Sequence, residues 1–290
     1  MLAPLALLAA MAQASPPDAP YAKEIEAWRA GRLARLTADD GWLSVVGLFW
    51  LEEGENPVGS APTSSVVLPD GKAPASLGTI VVSGKTFSFR AKPGVEIAAD
   101  GKAVETTALR SDADGEPTVL SAGPLRFYVI ERDGRFAVRV KDSTSQARKA
   151  FRGLGYFPID PAWRIEARFE PYDPPRTISV PNVLGHENAE TSPGALVFVH
   201  GGKTYRLDPV LEQGETDYFV IFGDRTNGGD TYGAGRFLYV PLPVGGKTVV
   251  DFNKAYNPPC VFTEYATCPL PPPQNKLPIR IEAGEKEYAH

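Results

Sequence analysis

Residues 224–268 read DRTNGGDTYGAGRFLYVPLPVGGKTVVDFNKAYNPPCVFTEYATC, and the rest of the chain is organised around this stretch. A polar, glycine-rich loop at 224–236 precedes two apolar segments, and a second polar run follows at 251–260. Both runs combine Asp, Asn, Tyr and a basic residue at a strand boundary, where functional groups concentrate on rigid scaffolds. The sequence therefore predicts that the two loops form opposite walls of one pocket.

The predicted ligand-binding residues carry charged or hydrogen-bonding side chains in these loops or in the arginine-rich segment 141–170. They are Asp224, Asn227, Tyr232, Arg236, Asp251, Asn253, Lys254, Tyr256, Arg148 and Arg164. Arg236 is expected to act as a planar fork for a carboxylate or phosphate, beside the backbone N–H groups of the glycine-rich loop. Asp251 and Asn253 alternate with Phe252 and would share one face of an extended strand. The competing interpretation is an internal salt-bridge network with Arg236 paired to an aspartate.

Two functions from different classes fit this set, and the sequence leaves open whether the protein is an enzyme. The first is binding of a small polar or anionic ligand, such as a glycan, in a pocket formed by the two loops. The second is hydrolase or lyase chemistry by carboxylates in the same pocket, which only geometry would reveal. An aromatic-lined cleft with paired carboxylates would favour binding. The few histidines, without a G-x-S-x-G elbow, disfavour a Ser-His-Asp hydrolase, and no cofactor or metal is predicted.

The composition restricts the fold and the partners. The chain has 290 residues, and its 28 Gly and 28 Pro favour many short strands joined by turns, which predicts a mainly β fold. A net charge of −5 gives no electrostatic case for nucleic acid as a partner. No segment approaches the roughly 20 apolar residues of a membrane span. The partner class predicted is a small polar molecule or glycan, and the oligomeric state is left open.

The first residues predict export. Residues 1–14, MLAPLALLAAMAQA, form an apolar run that ends in Ala-Gln-Ala, and this pattern is typical of a secretory signal cleaved before Ser15. The protein is therefore expected in the periplasm or outside the cell. In such an oxidising compartment, the two cysteines of the chain, Cys260 and Cys268, are expected to form a disulfide bond.

Hydrophobic periodicity predicts the elements that follow. Residues 15–41 comprise a linker and a helix over 21–36, with Asp18 as its cap. The apolar run 42–51 is expected to be a strand buried on both faces. Hairpins are predicted from paired β segments around short turns, at 79–83 with 86–90, 125–132 with 135–141, and 196–200 with 203–207. Further strands are expected at 217–222, 237–240, 248–252 and 277–281. The predicted units are a β-sandwich over 42–140 and a second β unit over 141–290 that packs against it.

The first unit resembles a forkhead-associated β-sandwich. The segments that carry the resemblance are GENPVGS (54–60), VVLP (66–69), LGTIVV (77–82), VEIAADGKAV (95–104) and GPLRFYVI (123–130). Members of that family bind phosphothreonine through an Arg after the first Gly and a Ser-Arg-x-x-His run. This chain has Ser60 at the first position and residues 75–79 read ASLGT at the second, so the resemblance implies the sandwich without the phosphothreonine site.

The chain after residue 20 also resembles the bacterial and archaeal family catalogued as domain of unknown function 1684. The motifs that carry this resemblance are WLSVVGLFWL (42–51), GYFPIDPAWR (155–164), RTNG (225–228), TYGAGRFLY (231–239), DFNKAYNPPC (251–260) and ATCPLPPPQN (266–275). The resemblance implies no activity and assigns no catalytic residue.

Overall fold

The structure is a computed structural model that describes residues 17–211 and 216–288. The predicted signal segment 1–14 lies outside these residues. Two helices are described, α1 (Ala19–Thr37) and α2 (Gln146–Ala150). The strands, in chain order, are β1 (Val45–Trp50), β2 (Gly54–Gly59), β3 (Val66–Val67), β4 (Gly78–Ser83), β5 (Thr86–Ala91), β6 (Ala98–Ala99), β7 (Lys102–Ala103), β8 (Thr106–Leu109), β9 (Leu120–Ala122), β10 (Leu125–Arg132), β11 (Arg135–Asp142), β12 (Arg164–Pro181), β13 (Glu187–His200), β14 (Lys203–Leu207), β15 (Asp217–Phe222), β16 (Arg236–Pro241) and β17 (Lys247–Asp251).

Helix α1 begins where its sequence places a cap. The Asp18 side chain accepts a hydrogen bond of 2.9 Å from the backbone N–H of Tyr21, which satisfies one of the free donors of the first turn. Ile25 and Leu36 are fully buried on one face. The predicted helix and its cap are confirmed. Neither helix of the described part of the chain is long and apolar enough to cross a membrane.

The first β unit is a two-sheet sandwich. One sheet has the strand order β1-β11-β10-β9-β6-β7, and the other has the order β3-β2-β4-β5-β8. Their inner faces share one core, in which Ile80 and Phe89 from the second sheet pack with Phe127 and Val138 from the first. The predicted hairpin turn after β10 is present, and Asp133 and Gly134 adopt positive φ angles of 53° and 70° there. The predicted mainly β fold with an N-terminal helix and multiple sheets is confirmed.

The apolar run 42–51 is not the strand buried on both faces that was predicted. Residues 42–44 form a 3₁₀ turn, and only Val45–Trp50 is a strand, which pairs with β11 alone. As an edge strand it is half-buried over most of its length, and the guanidinium of Arg135 lies 4.2 Å above the Trp50 ring. Some of its apolar residues therefore pack on the core from one side only, and Trp50 stacks with Arg135 at the surface.

The second β unit is built on a long curved hairpin. Strands β12 and β13 pair with a register shift between Pro171 and Arg176, and they lie in a sheet of order β14-β13-β12-β17. Strands β15 and β16 form a separate two-stranded sheet. Phe198, Phe222 and Phe252 form the centre of the shared core, with ring centroids 5.4–5.7 Å apart around Phe252.

The strand predicted at 277–281 is wrong. Pro278 lacks a backbone donor, and in place of a sheet ladder the segment makes isolated backbone bonds, from Leu277 N–H to the Gly223 carbonyl at 2.7 Å and from Arg225 N–H to the Ile279 carbonyl at 2.8 Å. Most of the chain from 252 to 288 is irregular, with short 3₁₀ turns in place of strands. Its buried backbone N–H and carbonyl groups must therefore form hydrogen bonds outside a β-sheet.

Asp142, at the end of β11, is held in its charged form. Burial alone would raise the pKa of its carboxyl group, but hydrogen bonds from Lys72 and Thr144 outweigh burial and lower the pKa below its ordinary value. We expect Asp142→Asn to reduce the free energy of unfolding by about 1–3 kcal/mol near neutral pH, because the neutral amide weakens the buried hydrogen bonds that Lys72 and Thr144 donate to the carboxylate. Urea denaturation at a series of pH values measures this difference.

The sign of the pH dependence follows from the lowered pKa. The carboxylate stabilises the fold fully above the unfolded-state pKa of about 3.9 and loses this contribution as the pH falls through the lower folded-state value. The difference between parent and Asp142→Asn should therefore be constant above about pH 5 and shrink below about pH 4. Asp70→Asn, on the exposed surface of a neighbouring loop, is the control. If the difference in the free energy of unfolding between parent and Asp142→Asn stays constant below about pH 4, the charge of Asp142 does not stabilise the fold.

Candidate functional site

The two polar loops lie side by side and do not face each other across a gap. The backbone N–H and carbonyl of Phe237 in β16 each form a hydrogen bond of 2.9 Å with Tyr256, so the second loop is joined directly to the strand that leaves the first. Loop 224–236 and loop 251–260 contribute to different cavities. The predicted common pocket is therefore replaced by two separate concavities.

Arg236 points into the protein interior. Its side chain and that of Asp224 have no exposed surface, and their ion pair measures 2.7 Å. The guanidinium also donates to the carbonyls of Ile281, at 2.9 Å, and of Ala283. Burial lowers the pKa of Arg236, and the charge of Asp224 opposes this effect. Arg236 thus forms the internal network of the competing interpretation and fastens the irregular C-terminal segment.

Asp251 and Asn253 are also internal. Residues 252–254 form a 3₁₀ turn capped by Asp251, so the two side chains do not alternate along a strand. The Tyr21 hydroxyl donates to Oδ1 of Asp251 at 2.8 Å, and Asn253 bonds both the N–H and the carbonyl of Asp160. Burial, with Asp251 next, raises the pKa of Tyr21. The buried Oδ2 of Asp251 has no hydrogen-bond partner among the described residues.

The three remaining charged candidates, Lys254, Arg148 and Arg164, all contact helix α1. Lys254 forms an ion pair of 2.6 Å with Glu24, and Arg148 donates to the Thr37 carbonyl at 2.8 Å. The guanidinium of Arg164 lies 5.4 Å above the ring of Tyr21. These side chains therefore attach the helix to the body of the protein.

Loop 224–236 lines a concavity of about 520 Å³, here called the loop cavity, with residues of 270–278 on its other wall. Asn227 lines this cavity but braces the loop, since its side chain accepts from Asp224 N–H at 2.7 Å and donates to the Tyr232 carbonyl at 3.0 Å. Gly235 has a positive φ of 96°, and a Cβ there would lie 2.4 Å from Pro271, so the loop packs tightly on that wall.

A second concavity of about 520 Å³ lies between helix α1 and the sheet of β15 and β16. We call it the aromatic cavity, and it is lined by Trp28, Arg32, Arg35, Leu36, Ala38, Asp40, Gly41, Trp42, Phe219, Phe237, Tyr239, Tyr256 and Pro259. The rings of Tyr239 and Tyr256 are stacked with their centroids 6.2 Å apart, and Phe219 meets Phe237 edge to face at 4.9 Å. Tyr256 is the one predicted ligand-binding residue on its walls.

Two arginines line this cavity, and they differ in burial and in ion pairing. Arg32 is buried, donates to Glu285 at 3.0 Å and lies 4.9 Å above the Tyr256 ring. Arg35 is exposed, and its guanidinium has no ion-pair partner within residues 17–211 and 216–288. Arg35 is therefore the cation of this cavity that a ligand can engage.

The sequence reasoning missed most of the aromatic cavity. Trp28 and Arg35 lie on helix α1, where the sequence predicted no ligand-binding residue, and Tyr239 lies in the strand predicted at 237–240. The available signal was the alternation of Phe237 and Tyr239, which puts both rings on one face of β16, opposite Phe219 of β15. Neither the helix nor the strand alone shows that the two faces leave a gap.

The two cysteines are free thiols in this structure. The disulfide bond predicted between them stays a prediction. The backbone N–H of Cys260 donates to Sγ of Cys268 at 3.1 Å. Tyr232, a predicted ligand-binding residue, lies against Cys260, and burial, with the hydrogen bond to Cys260 next, raises the pKa of Tyr232. No three His, Cys, Asp or Glu side chains in the described part of the chain are grouped as metal ligands.

Comparisons with known proteins give one family and several solved structures. The model of the family described as protein of unknown function (DUF1684) matches residues 149–286. An uncharacterized protein of Haloarcula marismortui, solved in solution by NMR, is 30% identical over 48% of this chain and 78% of its own length, with a TM-score of 0.41. The FHA-2 domain of a Mycobacterium tuberculosis ABC transporter is 21% identical over 31% of this chain and 77% of its own, with a TM-score of 0.24. The comparison with curated proteins gives no match.

The buried pair of Arg236 and Asp224 predicts a large effect on stability. Arg236→Met should lower the free energy of unfolding by about 3–5 kcal/mol, because it leaves a buried carboxylate and several carbonyls without their donor. Arg225→Met, at an exposed position of the same loop, is the matched control and should change stability by less than about 0.5 kcal/mol. Chemical denaturation of the three proteins measures both. Equal stability of the two variants would contradict a structural role of Arg236.

Proposed function

We propose that this chain, which belongs to the DUF1684 family of proteins of unknown function, binds a small polar ligand such as a sugar in the aromatic cavity. The observation that carries the proposal is the cavity itself, since its volume of about 520 Å³ lies within the roughly 300–1,000 Å³ of small-molecule sites. Such sites combine mostly apolar and aromatic walls with a few placed polar groups. Here most of the walls are aromatic or apolar, and Arg35 and Asp40 are the exposed charged groups on the lining.

The residues of the cavity indicate the class of ligand. Flat rings such as those of Trp28 and Tyr239 offer apolar faces against which the C–H face of a sugar ring packs. The guanidinium of Arg35 offers a planar fork to a carboxylate. A sugar that carries a carboxylate, such as a uronic acid, would use both features, and a neutral sugar would use only the rings.

The positions of the carboxylates favour ligand binding over the alternative of carboxylate-based hydrolase or lyase chemistry. Asp224 is neutralised by Arg236, and Asp251 accepts from Tyr21, so neither carboxylate faces the aromatic cavity. Asp40 is the carboxylate on its lining. A single carboxylate does not supply the acid and base pair that glycoside hydrolysis requires.

We also propose that the protein is exported after cleavage before Ser15, and that Cys260 and Cys268 form a disulfide bond in the oxidising compartment. The pattern of residues 1–14 supports export, and the short distance of 3.1 Å from the backbone N of Cys260 to Sγ of Cys268 supports the bond. Intact mass spectrometry of protein isolated from its native cells, without reductant, should find a chain that begins at Ser15 and has no alkylatable thiol. An intact Met1 would contradict export, and two free thiols on an exported chain would contradict the bond alone.

Ligand binding should change the tryptophan fluorescence of the protein, because Trp28 and Trp42 lie on the cavity wall. We expect saturable changes on titration with a uronic acid oligosaccharide. Tyr239→Ala should weaken the affinity by about two- to tenfold through loss of one stacking ring, whereas Tyr239→Phe should retain it. Arg35→Gln should weaken binding of the uronic acid and leave that of the matching neutral sugar unchanged.

The controls separate the cavity from the rest of the molecule. Trp50 stacks on Arg135 in the sandwich, so Trp50→Phe should keep the ligand-dependent fluorescence change. Melting curves without ligand verify that Tyr239→Ala is folded, as the 42% exposure of Tyr239 leads us to expect. No saturable signal with acidic or neutral sugars, or a signal insensitive to Tyr239→Ala, would refute the sugar proposal.

A further inference from the structure

We propose that Cys260 and Cys268 are a thiol–disulfide exchange pair, in which Cys260 attacks an external disulfide and Cys268 resolves the mixed disulfide. The proposal concerns a site other than the aromatic cavity and does not depend on ligand binding or export. It rests on the contact of the two thiols, on their unequal burial and on an open groove that leads to one of them.

The groove makes Cys260 reachable from solvent. An open concavity of about 560 Å³ is lined by Cys260 and by apolar residues that include Val45, Val46, Phe262 and Tyr265. Cys260 is half-buried at this surface, whereas Cys268 is only 4% exposed and lies in the apolar cluster with Phe219 and Phe237. An incoming disulfide therefore meets Cys260 first, and Cys268 lies behind it.

The surroundings favour a thiolate at Cys260. The hydrogen bond from the Cys268 thiol, together with one from the Tyr232 hydroxyl, lowers the pKa of Cys260 to about 7, against the opposing effect of burial. The bond to Cys260 and burial raise the pKa of Cys268. Because the thiolate is the attacking species in exchange, both effects assign the first step to Cys260.

The reaction balances with a low-molecular-weight disulfide as the oxidant. The Cys260 thiolate attacks one sulfur of the disulfide, forms a mixed disulfide and releases one thiolate of the oxidant. Cys268 then loses its proton and attacks Sγ of Cys260, which forms the internal bond and releases the second thiolate. The backbone N–H of Cys260, 3.1 Å from Sγ of Cys268, stabilises the thiolate needed for this step. Two protein thiols are oxidised, and one external disulfide is reduced to two thiols.

The test uses oxidised glutathione and the full-length protein, first reduced and then freed of reductant. Mass spectrometry should show the parent passing to an internal disulfide without stable glutathione on the protein. Cys268→Ser should accumulate a glutathione adduct on Cys260, because its resolving thiol is absent. Cys260→Ser should form an adduct at least about tenfold more slowly, since Cys268 is buried and its pKa is raised.

Tyr232 provides a test of the geometry that does not remove a cysteine. Tyr232→Phe loses the hydroxyl that stabilises the thiolate. Near pH 6.5, iodoacetamide should therefore alkylate Cys260 of this variant at least about threefold more slowly than Cys260 of the parent, and the difference should vanish above about pH 9. Tyr265→Phe is the matched control, since Tyr265 lines the same groove and its hydroxyl contacts Glu264.

Some outcomes would overturn the proposal. One is equal adduct formation on Cys260→Ser and Cys268→Ser. Another is a folded parent that is inert to oxidised glutathione while its thiols react once unfolded in urea.

Discussion

Buried polar side chains that bond to backbone groups hold the C-terminal segment of this protein in place. The chain from 252 to 288 has few strand partners, yet much of it is buried, and buried N–H and carbonyl groups must be satisfied. Arg236 bonds carbonyls of the segment 281–285. Glu285, with no exposed surface, accepts from Asn257 N–H at 2.8 Å and from Arg32 of helix α1 at 3.0 Å. Asn275 plays the same part, with bonds to Asp208 and to the Ile221 carbonyl.

This constraint explains which parts of the molecule could be predicted from its sequence. The hairpins and helix α1 follow from local periodicity and turn residues, such as the Asp-Gly pair after β10, and were predicted correctly. The site could not be predicted in the same way. A loop rich in Asp, Asn and Arg looks the same whether those side chains face a ligand or bond an irregular backbone. Only the burial of Arg236 and Asn253 distinguishes the two cases, and burial depends on contacts such as those with Ile281 and Asp160, distant in sequence.

Helix α1 has a larger role than its amphipathic pattern indicates. Tyr21 and Glu24 bond Asp251 and Lys254 near its beginning, and Arg32 reaches Glu285 in the interior. These contacts fix the helix against the second β unit, so the gap between Trp28 and the rings of β15 and β16 is set by a rigid attachment. A preformed gap of this kind costs a ligand little ordering entropy on binding. The same contacts use the charged side chains that were predicted to bind a ligand. Of the two arginines that line the aromatic cavity, Arg35 is the one without an ion-pair partner among the residues that the structure describes.

The aromatic cavity and the thiol pair meet at one turn. Pro259, at the start of the 3₁₀ turn Pro259–Val261, lines the aromatic cavity, while the next residue, Cys260, lines the groove described above. Cys268 packs with Phe219 and Phe237, which are also walls of the cavity. Formation of a bond between Cys260 and Cys268 would therefore act on the residue next to a wall of the cavity. Where two equilibria act on one element, their coupling free energy is reciprocal. A ligand that binds the disulfide form more tightly must therefore make the disulfide harder to reduce by the same factor.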